Sequence, residues 1–197
     1  MVSEFLKLQW CGPYRFCGNR DESVFLVSVG ERRGIYLWAI PFENQYLTYY
    51  VGETGRSFAY RSIEHAKCYL EGFYRVYDPE KFAKGEKVLI WGGMWKPNRK
   101  DLKIMYEFLE KYPKLSHQIY EFLEQFKIFL APTNVKQRTR QRIESAIASK
   151  LLGQPGVVGK FQDADIKYLP RRAREQPIYL KMSFPETILG LNDELVV

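Results

Sequence analysis

Four side chains suited to phosphate esters stand close together in the first part of this 197-residue chain. Tyr36 and Tyr50 carry phenols, and Arg61 and His65 follow at a spacing that puts both on one face of a helix. Hydrolysis of a phosphodiester needs an activated water, neutralisation of the charge that develops on the phosphoryl oxygens, and stabilisation of the departing oxygen. These residue types can meet such needs, and together they suggest a site for cutting phosphodiester bonds.

Two predicted strands position the phenols. The β-rich runs cover residues 34–40 and 46–52, with a hairpin loop at 41–45. Because side chains alternate across a strand, we expect Tyr36 and Tyr50 to meet above one sheet surface. The alternation predicts two same-face sets: Tyr36, Trp38 and Ile40 on the first strand, and Tyr46, Thr48 and Tyr50 on the second.

A helix is predicted directly after the second strand. Ser57 is a typical N-cap residue. Apolar residues then recur at helical spacing and predict a core stripe of Ala59, Ile63, Ala66 and Leu70. Arg61 and His65 fall outside that stripe, on a face of their own.

This arrangement resembles the GIY-YIG nuclease family. Gly34-Ile35-Tyr36 matches the first triplet, and Tyr50-Val51-Gly52 is the usual YVG variant of the second. Arg61 matches the family's helical arginine, and Glu144 matches its carboxylate on a later helix, after a strand at 126–131. Each residue alone is more often a packing or surface residue. Their order on strand, strand, helix, strand and helix favours the family.

The resemblance implies an α/β fold, in which a small central antiparallel or mixed β-sheet is flanked by helices. The nuclease-like domain would cover residues 34–152, with an insertion at about 73–125, an N-terminal extension at 1–33 and a C-terminal extension at 153–197. Within the insertion, Pro113 predicts a division between two helices, at 100–112 and 115–125. Further strands are predicted at 24–27, 87–91 and 178–180, the last as the final strand, and a loop at 95–98.

The family's precedent also implies roles for the five matched residues. Glu144 would hold one Mg²⁺ or Mn²⁺, which are hard cations that prefer oxygen ligands. Arg61 would clamp the scissile phosphate, and His65 would position or deprotonate the water or bind a phosphate oxygen. Tyr36 would act on the attacking water, and Tyr50 would hydrogen-bond the water or the phosphate.

Two departures from the family keep other functions open. Some members place a lysine after the second triplet, where this chain has Glu53, and others use an asparagine beyond the metal-binding glutamate, near which this chain has Gln154. A DNA endonuclease is the leading interpretation. The alternatives are a binding module of the same fold that has lost turnover, and a nuclease that acts on RNA. A homodimer would suit double-strand cleavage by a chain with one site.

The net charge of +7 is concentrated between residues 133 and 175. That segment has ten Lys or Arg against four acids, and a basic cluster is the usual footprint of a polyanion. We therefore expect DNA as the partner. The predicted DNA-binding residues are Arg56, Arg138, Arg140, Arg142, Lys150, Arg171 and Arg172.

Composition narrows the class of protein. With 46% hydrophobic and 16% aromatic residues, the chain can bury a core and is not of the disordered type. It lacks an apolar run long enough to span a membrane, which favours a cytoplasmic protein without a membrane partner. Three cysteines and two histidines, irregularly spaced, support neither a disulfide framework nor a zinc site.

Overall fold

The computed structural model describes residues 4–16, 20–94, 101–163 and 166–197. Within these ranges the chain is an α/β protein with antiparallel and mixed β-sheets flanked by helices. The predicted α/β class is therefore confirmed. The central sheet of the described residues has four strands in the order β2 (Cys11–Tyr14), β7 (Lys127–Pro132), β3 (Gly34–Phe42) and β4 (Gln45–Thr54). All neighbouring strands in it are antiparallel. The strand predicted at 126–131 is therefore confirmed.

The β3–β4 hairpin is longer than its sequence pattern predicts. Both strands continue to a two-residue turn at Glu43 and Asn44, whose φ values are 47° and 63°. Two-residue hairpin turns of this kind require positive φ, and asparagine tolerates it well. The predicted loop at 41–45 is therefore mostly strand.

A β-bulge in β4 changes the predicted side-chain alternation. Trp38 pairs with Tyr50 but Ala39 pairs with Thr48, so the residue between them is extra. Beyond the bulge, Tyr46 and Thr48 lie on the face opposite to Tyr50. The expectation that these three residues share a face was wrong, because alternation is lost wherever one strand contains an unpaired residue.

The helix α1 (Phe58–Leu70) begins where the sequence predicts. The Ser57 hydroxyl accepts a hydrogen bond from the backbone N–H of Tyr60, which confirms the N-cap. The predicted core stripe is confirmed at Ala59, which is buried, but is wrong at Ile63 and Leu70, which are 42% and 45% exposed. The rest of the buried face carries Phe58, Ser62, His65 and Tyr69. Aromatic rings determine which face packs on the sheet: the His65 ring lies 4.8 Å from that of Trp38.

A single helix, α3 (Leu102–Glu124), replaces the two helices predicted on either side of Pro113. An internal proline costs a helix roughly 3 kcal/mol. The apolar residues before and after it pack into the same core, as Phe108, Leu115, Ile119 and Phe122 are all buried. Burial of several such side chains outweighs that cost, at about 1.5–3 kcal/mol each.

The C-terminal half covers the sheet and forms a second one. Two helices, α4 (Gln137–Leu152) and α5 (Gly156–Phe161), follow β7. The second sheet of the described residues has the order β1 (Glu4–Gln9), β8 (Ile178–Ser183) and β9 (Glu194–Val196), with β1 and β8 parallel. The strand predicted at 178–180 is confirmed as β8. It is not the last strand, because β9 follows it.

Two other predicted strands differ from the structure. Residues 24–27 form turns and a bend between the 3₁₀ helices Arg20–Glu22 and Ser28–Glu31, and Val24 is fully buried there. Only part of the 87–91 run is extended: β6 (Leu89–Trp91) pairs with β5 (Val76–Tyr77), and the short helix α2 (Pro79–Phe82) lies between them in the chain. The loop predicted at 95–98 lies outside the described residues.

The outer edge of β4 is covered by chain from the C-terminal half. The Tyr46 N–H donates to the carbonyl of Thr187, and the Leu189 N–H donates back to the carbonyl of Tyr46. At the bulge, the Asp163 N–H donates to the carbonyl of Tyr49. The strand that carries Tyr50 is therefore held on both sides.

None of the helices in the described ranges has the length and apolar character that spanning a membrane would need.

Candidate functional site

Tyr36 lies at the base of the site, over a glycine. It pairs with Gly52 across the hairpin, and a Cβ built on Gly52 would come within 2.3 Å of the Tyr36 ring. Any other residue at position 52 would therefore push the phenol away. Position 34 also requires glycine. Its φ is 153°, and a Cβ there would lie 2.1 Å from the carbonyl oxygen of Ala131 on β7.

The Tyr36 hydroxyl joins two side chains from α1. It lies 2.9 Å from Nε2 of His65, and Nε of Arg61 donates to it over 3.3 Å. Arg61 supplies only donors, so the Tyr36 oxygen accepts from it. The direction of the Tyr36–His65 hydrogen bond depends on the histidine tautomer: Tyr36 donates to the tautomer whose proton is on Nδ1. Arg61 and His65 lie four residues apart on α1, so both side chains reach the hydroxyl of Tyr36.

Burial keeps His65 neutral. The ring is 3% exposed, and burial, with the nearby Arg61 charge as a smaller cause, lowers the pKa of His65 well below 6.5. The His65 ring packs edge-on against the rings of Tyr36 and Tyr50, and its hydrogen bond to the catalytic group is with the Tyr36 hydroxyl. Direct contact of His65 with water or phosphate stays a prediction.

Tyr50 and Arg61 form the open side of the group. The Tyr36 and Tyr50 rings lie 5.8 Å apart, so the predicted meeting of the two phenols is confirmed. Burial raises the pKa of Tyr50, and hydrogen bonding to Tyr36 and the charge of Arg61 oppose that shift. Arg61 also donates to Glu64 over 3.1 Å, and Glu64 receives two 2.6 Å hydrogen bonds from Arg56.

Glu144 projects from α4 toward the same group. Its Oε1 accepts a 3.0 Å hydrogen bond from the backbone N–H of Glu53, at the end of the second triplet. Burial, then the charge of the Glu53 carboxylate, raises the pKa of Glu144 to about 7. The charge of Arg61 acts on Glu144 in the opposite direction, and Glu144 acts on Tyr50. Glu144 is thus linked electrostatically to Arg61 and Tyr50, at the open side of the group.

Glu53 forms an ion pair with a buried arginine. Nε of Arg140 donates to Oε2 of Glu53 over 2.8 Å, and its NH1 donates to the carbonyl of Val135. Arg140 is 5% exposed, so its charge is directed into the protein. Its pairing with Glu53 fixes the backbone that holds Glu144. The acid found where some GIY-YIG nucleases have a lysine therefore has a structural partner in this chain.

Tyr168 is a site residue that the sequence did not single out. It is half-buried, and its pKa is raised by burial and then by electrostatic interaction with Tyr50 and Glu144, so it lies within electrostatic range of both. Because it lies in the C-terminal extension, far along the chain from the two triplets, no local motif could have indicated it.

Two of the arginines predicted to bind DNA are internal. Arg140 pairs with Glu53, and NH2 of the 8% exposed Arg142 donates to the carbonyls of Gln176 and Val197 at 2.6 and 2.7 Å. We correct both to structural roles, since buried guanidinium groups persist only where they are bonded. The charge pattern of a sequence counts such arginines together with exposed ones.

The other residues predicted to bind DNA differ in their exposure and in whether they form an ion pair within the protein. Arg138 makes a two-bond ion pair with Glu175, and this contact lowers the pKa of Glu175 to about 2. Arg171 and Arg172 are exposed, and Lys150 is half-buried. Arg56 lines a surface depression of about 260 Å³ together with Arg32 and Arg33, two exposed arginines that were not predicted.

A metal ion at this site would depend on Glu144. Among the described residues, no three His, Cys, Asp or Glu side chains gather as a metal-binding group. The donor set fits a hard cation that takes one carboxylate and completes its shell with water and phosphate oxygens. The raised pKa of Glu144 marks a buried carboxylate that a cation would stabilise in its charged form.

Comparison with known proteins returned no match. Neither a family model, nor a curated protein, nor a solved structure matches this chain. The assignment of function therefore depends on the geometry of the site and on the two triplets.

Proposed function

We propose that this chain is a metal-dependent DNA endonuclease of the GIY-YIG kind. The observation that carries the proposal is the hydrogen-bonded group of Arg61, Tyr36 and His65, with Tyr50 and Glu144 beside it. Support for the finer fold comes from the element order, in which the β3–β4 hairpin, α1, β7 and α4 carry these residues in the order that the family requires.

The Tyr36 hydroxyl is the centre of the proton path. A phenol offers one proton and two lone pairs; Arg61 takes one lone pair, and His65 with its proton on Nδ1 would take the phenol's proton. The attacking water would replace Tyr50 as the third hydrogen-bond partner of the Tyr36 hydroxyl, and would give it a proton while the phenol's own proton passes to Nε2 of His65. The water oxygen bonds to phosphorus, and the bond to the departing sugar oxygen breaks. That oxygen then takes a proton from solvent.

Arg61 links substrate binding to the strength of this base. It would hold the scissile phosphate and stabilise the charge that grows on the phosphoryl oxygens. Its positive charge also lowers the pKa of His65 in the free protein. An anionic phosphate against Arg61 compensates that charge, so His65 becomes a better proton acceptor when substrate is bound.

Glu144 would hold a single Mg²⁺ or Mn²⁺. When bound, such an ion neutralises phosphate charge and stabilises the departing oxygen. Tyr50 would hydrogen-bond the phosphate or the water at the open side of the site, with Tyr168 closing it. The Glu53 N–H orients the carboxylate of Glu144, and Arg140 in turn fixes Glu53.

The phosphate backbone would lie along exposed cations. Arg171 and Arg172 lie on the C-terminal extension, and the depression lined by Arg32, Arg33 and Arg56 lies beside the start of α1. Such contacts give salt-dependent affinity without reading sequence. Two copies of the chain would be needed to cut both strands at once, and we propose a homodimer on DNA, which sedimentation with and without a duplex would measure.

Cleavage assays on wild type and Glu144→Ala test the proposal. The substrates are supercoiled plasmid and labelled single-stranded and double-stranded oligonucleotides of DNA and RNA, with Mg²⁺, Mn²⁺ or EDTA. Glu110→Ala is a matched control, because Glu110 is an exposed helical glutamate on α3. We expect DNA cleavage that requires a divalent cation, is retained in Glu110→Ala and is lost in Glu144→Ala with DNA affinity preserved.

Two results would contradict this function. Salt-sensitive DNA binding without cleavage by the wild type in any cation would favour a binding module of the same fold. Cleavage of RNA in preference to DNA would favour the RNA-directed nuclease.

A further inference from the structure

A cavity of about 500 Å³ adjoins the proposed catalytic group on the side of Tyr50 and His65. This size lies within the range of about 300–1,000 Å³ that small-molecule sites occupy. Its walls are largely aromatic, formed by Trp38, Tyr49, Tyr50, Tyr69, Phe73 and Tyr74. Tyr36 and Arg61, which would contact the water and the phosphate, do not line it, and His65 is the member of the proton path that does. The cavity therefore needs an explanation of its own.

Polar groups are few and are placed among the rings. Asp163 and Arg75 line the cavity, and the carboxylate of Asp163 influences the hydroxyls of both Tyr49 and Tyr69.

These features describe the ligand. Aromatic walls favour a flat ring that can stack on them, and the carboxylate of Asp163 and the guanidinium of Arg75 favour a ring with both donors and acceptors at its edge. Nucleobases have both properties, and proteins that bind unpaired strands stack bases on aromatic side chains.

We propose that this cavity receives one unpaired nucleobase of the strand that is cut. The inference rests on the proposed function. Tyr50 and His65 belong both to the cavity and to the catalytic group, so the base is that of a nucleotide flanking the scissile phosphate. Moving a base out of a duplex costs a few kcal/mol, and stacking of that base on aromatic side chains offsets about 1–3 kcal/mol of the cost. Substrates already unpaired at that nucleotide are therefore bound more tightly than continuous duplex.

Gly92 provides a specific way to close the cavity. It is an exposed lining residue, and a Cβ built on it meets no atom within 4 Å. Gly92→Trp therefore places a large ring at the cavity without forcing the backbone to move. Gly92→Ala is the matched control, because it changes the same position and adds only a methyl group.

Photo-crosslinking in EDTA tests the proposal directly. A DNA duplex carries one mismatch, and 5-iododeoxyuridine is placed at each position in turn; crosslinked peptides are then identified by mass spectrometry. We expect one position to crosslink to Tyr74 or Phe73, and we expect Gly92→Trp, but not Gly92→Ala, to reduce that yield at least tenfold. Phe73→Ala, which removes a half-buried wall ring, is a second variant and should move the crosslink away from position 73.

The outcomes separate this inference from the nuclease proposal. Metal-dependent cleavage with no crosslink to a cavity residue, or with a crosslink that Gly92→Trp leaves unchanged, overturns the cavity inference alone. A crosslink that Gly92→Trp abolishes, in a protein that never cleaves DNA, supports the base pocket and overturns the nuclease. Absence of any DNA binding overturns both.

Discussion

The hydroxyl of Tyr36 lies 2.9 Å from Nε2 of His65, and both side chains are almost fully buried. One comes from a central strand and the other from the buried face of α1, so the contact joins the sheet to the helix. A buried hydroxyl donating to a neutral imidazole is well placed to pass on a proton. It also contributes about 1 kcal/mol to stability as an ordinary hydrogen bond, so the two roles must be separated by experiment.

Tyr36→Phe removes the hydroxyl and keeps the ring over Gly52. We expect cleavage to fall by about 10²–10⁴-fold, the usual contribution of a general acid or base. DNA affinity in EDTA should change little, since Tyr36 is only 3% exposed. Single-turnover cleavage and fluorescence anisotropy measure the two quantities. Tyr179→Phe, at a 43% exposed phenol on β8, is the control and should behave as wild type.

His65→Gln tests whether the imidazole accepts the proton or only packs. The folded pKa of His65 is depressed, so its contribution to stability is present above the unfolded value of about 6.5 and is lost as pH falls below it toward the folded pKa. We expect His65→Gln to lose less stability than wild type between pH 7.5 and pH 5, as measured by urea unfolding at the two pH values.

In the cleavage assay, His65→Gln should be slower than wild type by roughly 10²-fold, with a changed pH–rate profile. A variant that loses stability but retains the rate and its pH dependence would reduce His65 to a packing residue.

Glu144→Gln should have opposite effects on stability and activity. The folded pKa of about 7 lies above the ordinary value of 4.5, so the stability that Glu144 contributes is present below pH 4.5 and is lost as pH rises through 7. The neutral amide avoids that loss. We expect Glu144→Gln to be more stable than wild type at pH 8 by roughly 1–3 kcal/mol, and to have similar stability at pH 4.5.

Divalent cations should reverse that difference. Because a cation competes with the proton on Glu144, Mg²⁺ should raise the Tm of wild type more at pH 8 than at pH 6 and should leave Glu144→Gln unchanged. Equal Mg²⁺ effects on the two proteins would place the ion elsewhere.

Gly52→Ala tests a residue that touches the site only through Tyr36. The new methyl group would lie 2.3 Å from the Tyr36 ring, so the ring must move and its hydrogen bonds to Arg61 and His65 must lengthen. We expect a loss of cleavage of at least tenfold, with reduced stability, measured by single-turnover assay and thermal unfolding. Gly92→Ala, where the methyl group meets no atom within 4 Å, should leave thermal stability unchanged.

Arginines of the basic segment should divide into two classes. Arg142→Met removes the guanidinium donor from the carbonyls of Gln176 and Val197, of which Val197 still accepts from the Ile178 N–H, and we expect a loss of about 1–3 kcal/mol in unfolding free energy, with DNA affinity of the folded protein preserved. The double variant Arg171→Ala/Arg172→Ala should keep its stability. It should reduce the slope of log K against log salt by about 2, as expected for two lost phosphate contacts. The opposite pattern would show that exposure does not separate the two classes.

Local patterns predicted most of what lies within one or two adjacent elements. The hairpin, the Ser57 cap and the meeting of Tyr36 with Tyr50 depend on side chains close in sequence, and all three are confirmed. The face of α1 was wrong because Ile63 and Leu70 fit a helical period but the sheet offers aromatic partners to His65 and Tyr69 instead. Periodicity identifies a helix, and the partner surface decides which side is buried.

Contacts between distant parts of the chain could not be predicted from the sequence. Arg140 and Glu53 are far apart in the chain, and nothing in the charge pattern distinguishes the buried Arg140 from the exposed Arg171. Tyr168 was missed for the same reason. Alternation across β4 failed because a single unpaired residue at the bulge has no signature in the sequence.

The covered edge of β4 has a consequence for how copies of this chain behave in solution. An open strand edge recruits other strands and promotes aggregation. Here segments from the C-terminal half occupy that edge, through Asp163 at the bulge and Thr187 and Leu189 at the hairpin end. Shortening the chain after α4 would uncover the backbone of the strand that carries Tyr50 and would leave it free to pair with a second copy. The C-terminal segments thus keep the strand beneath the site from self-association.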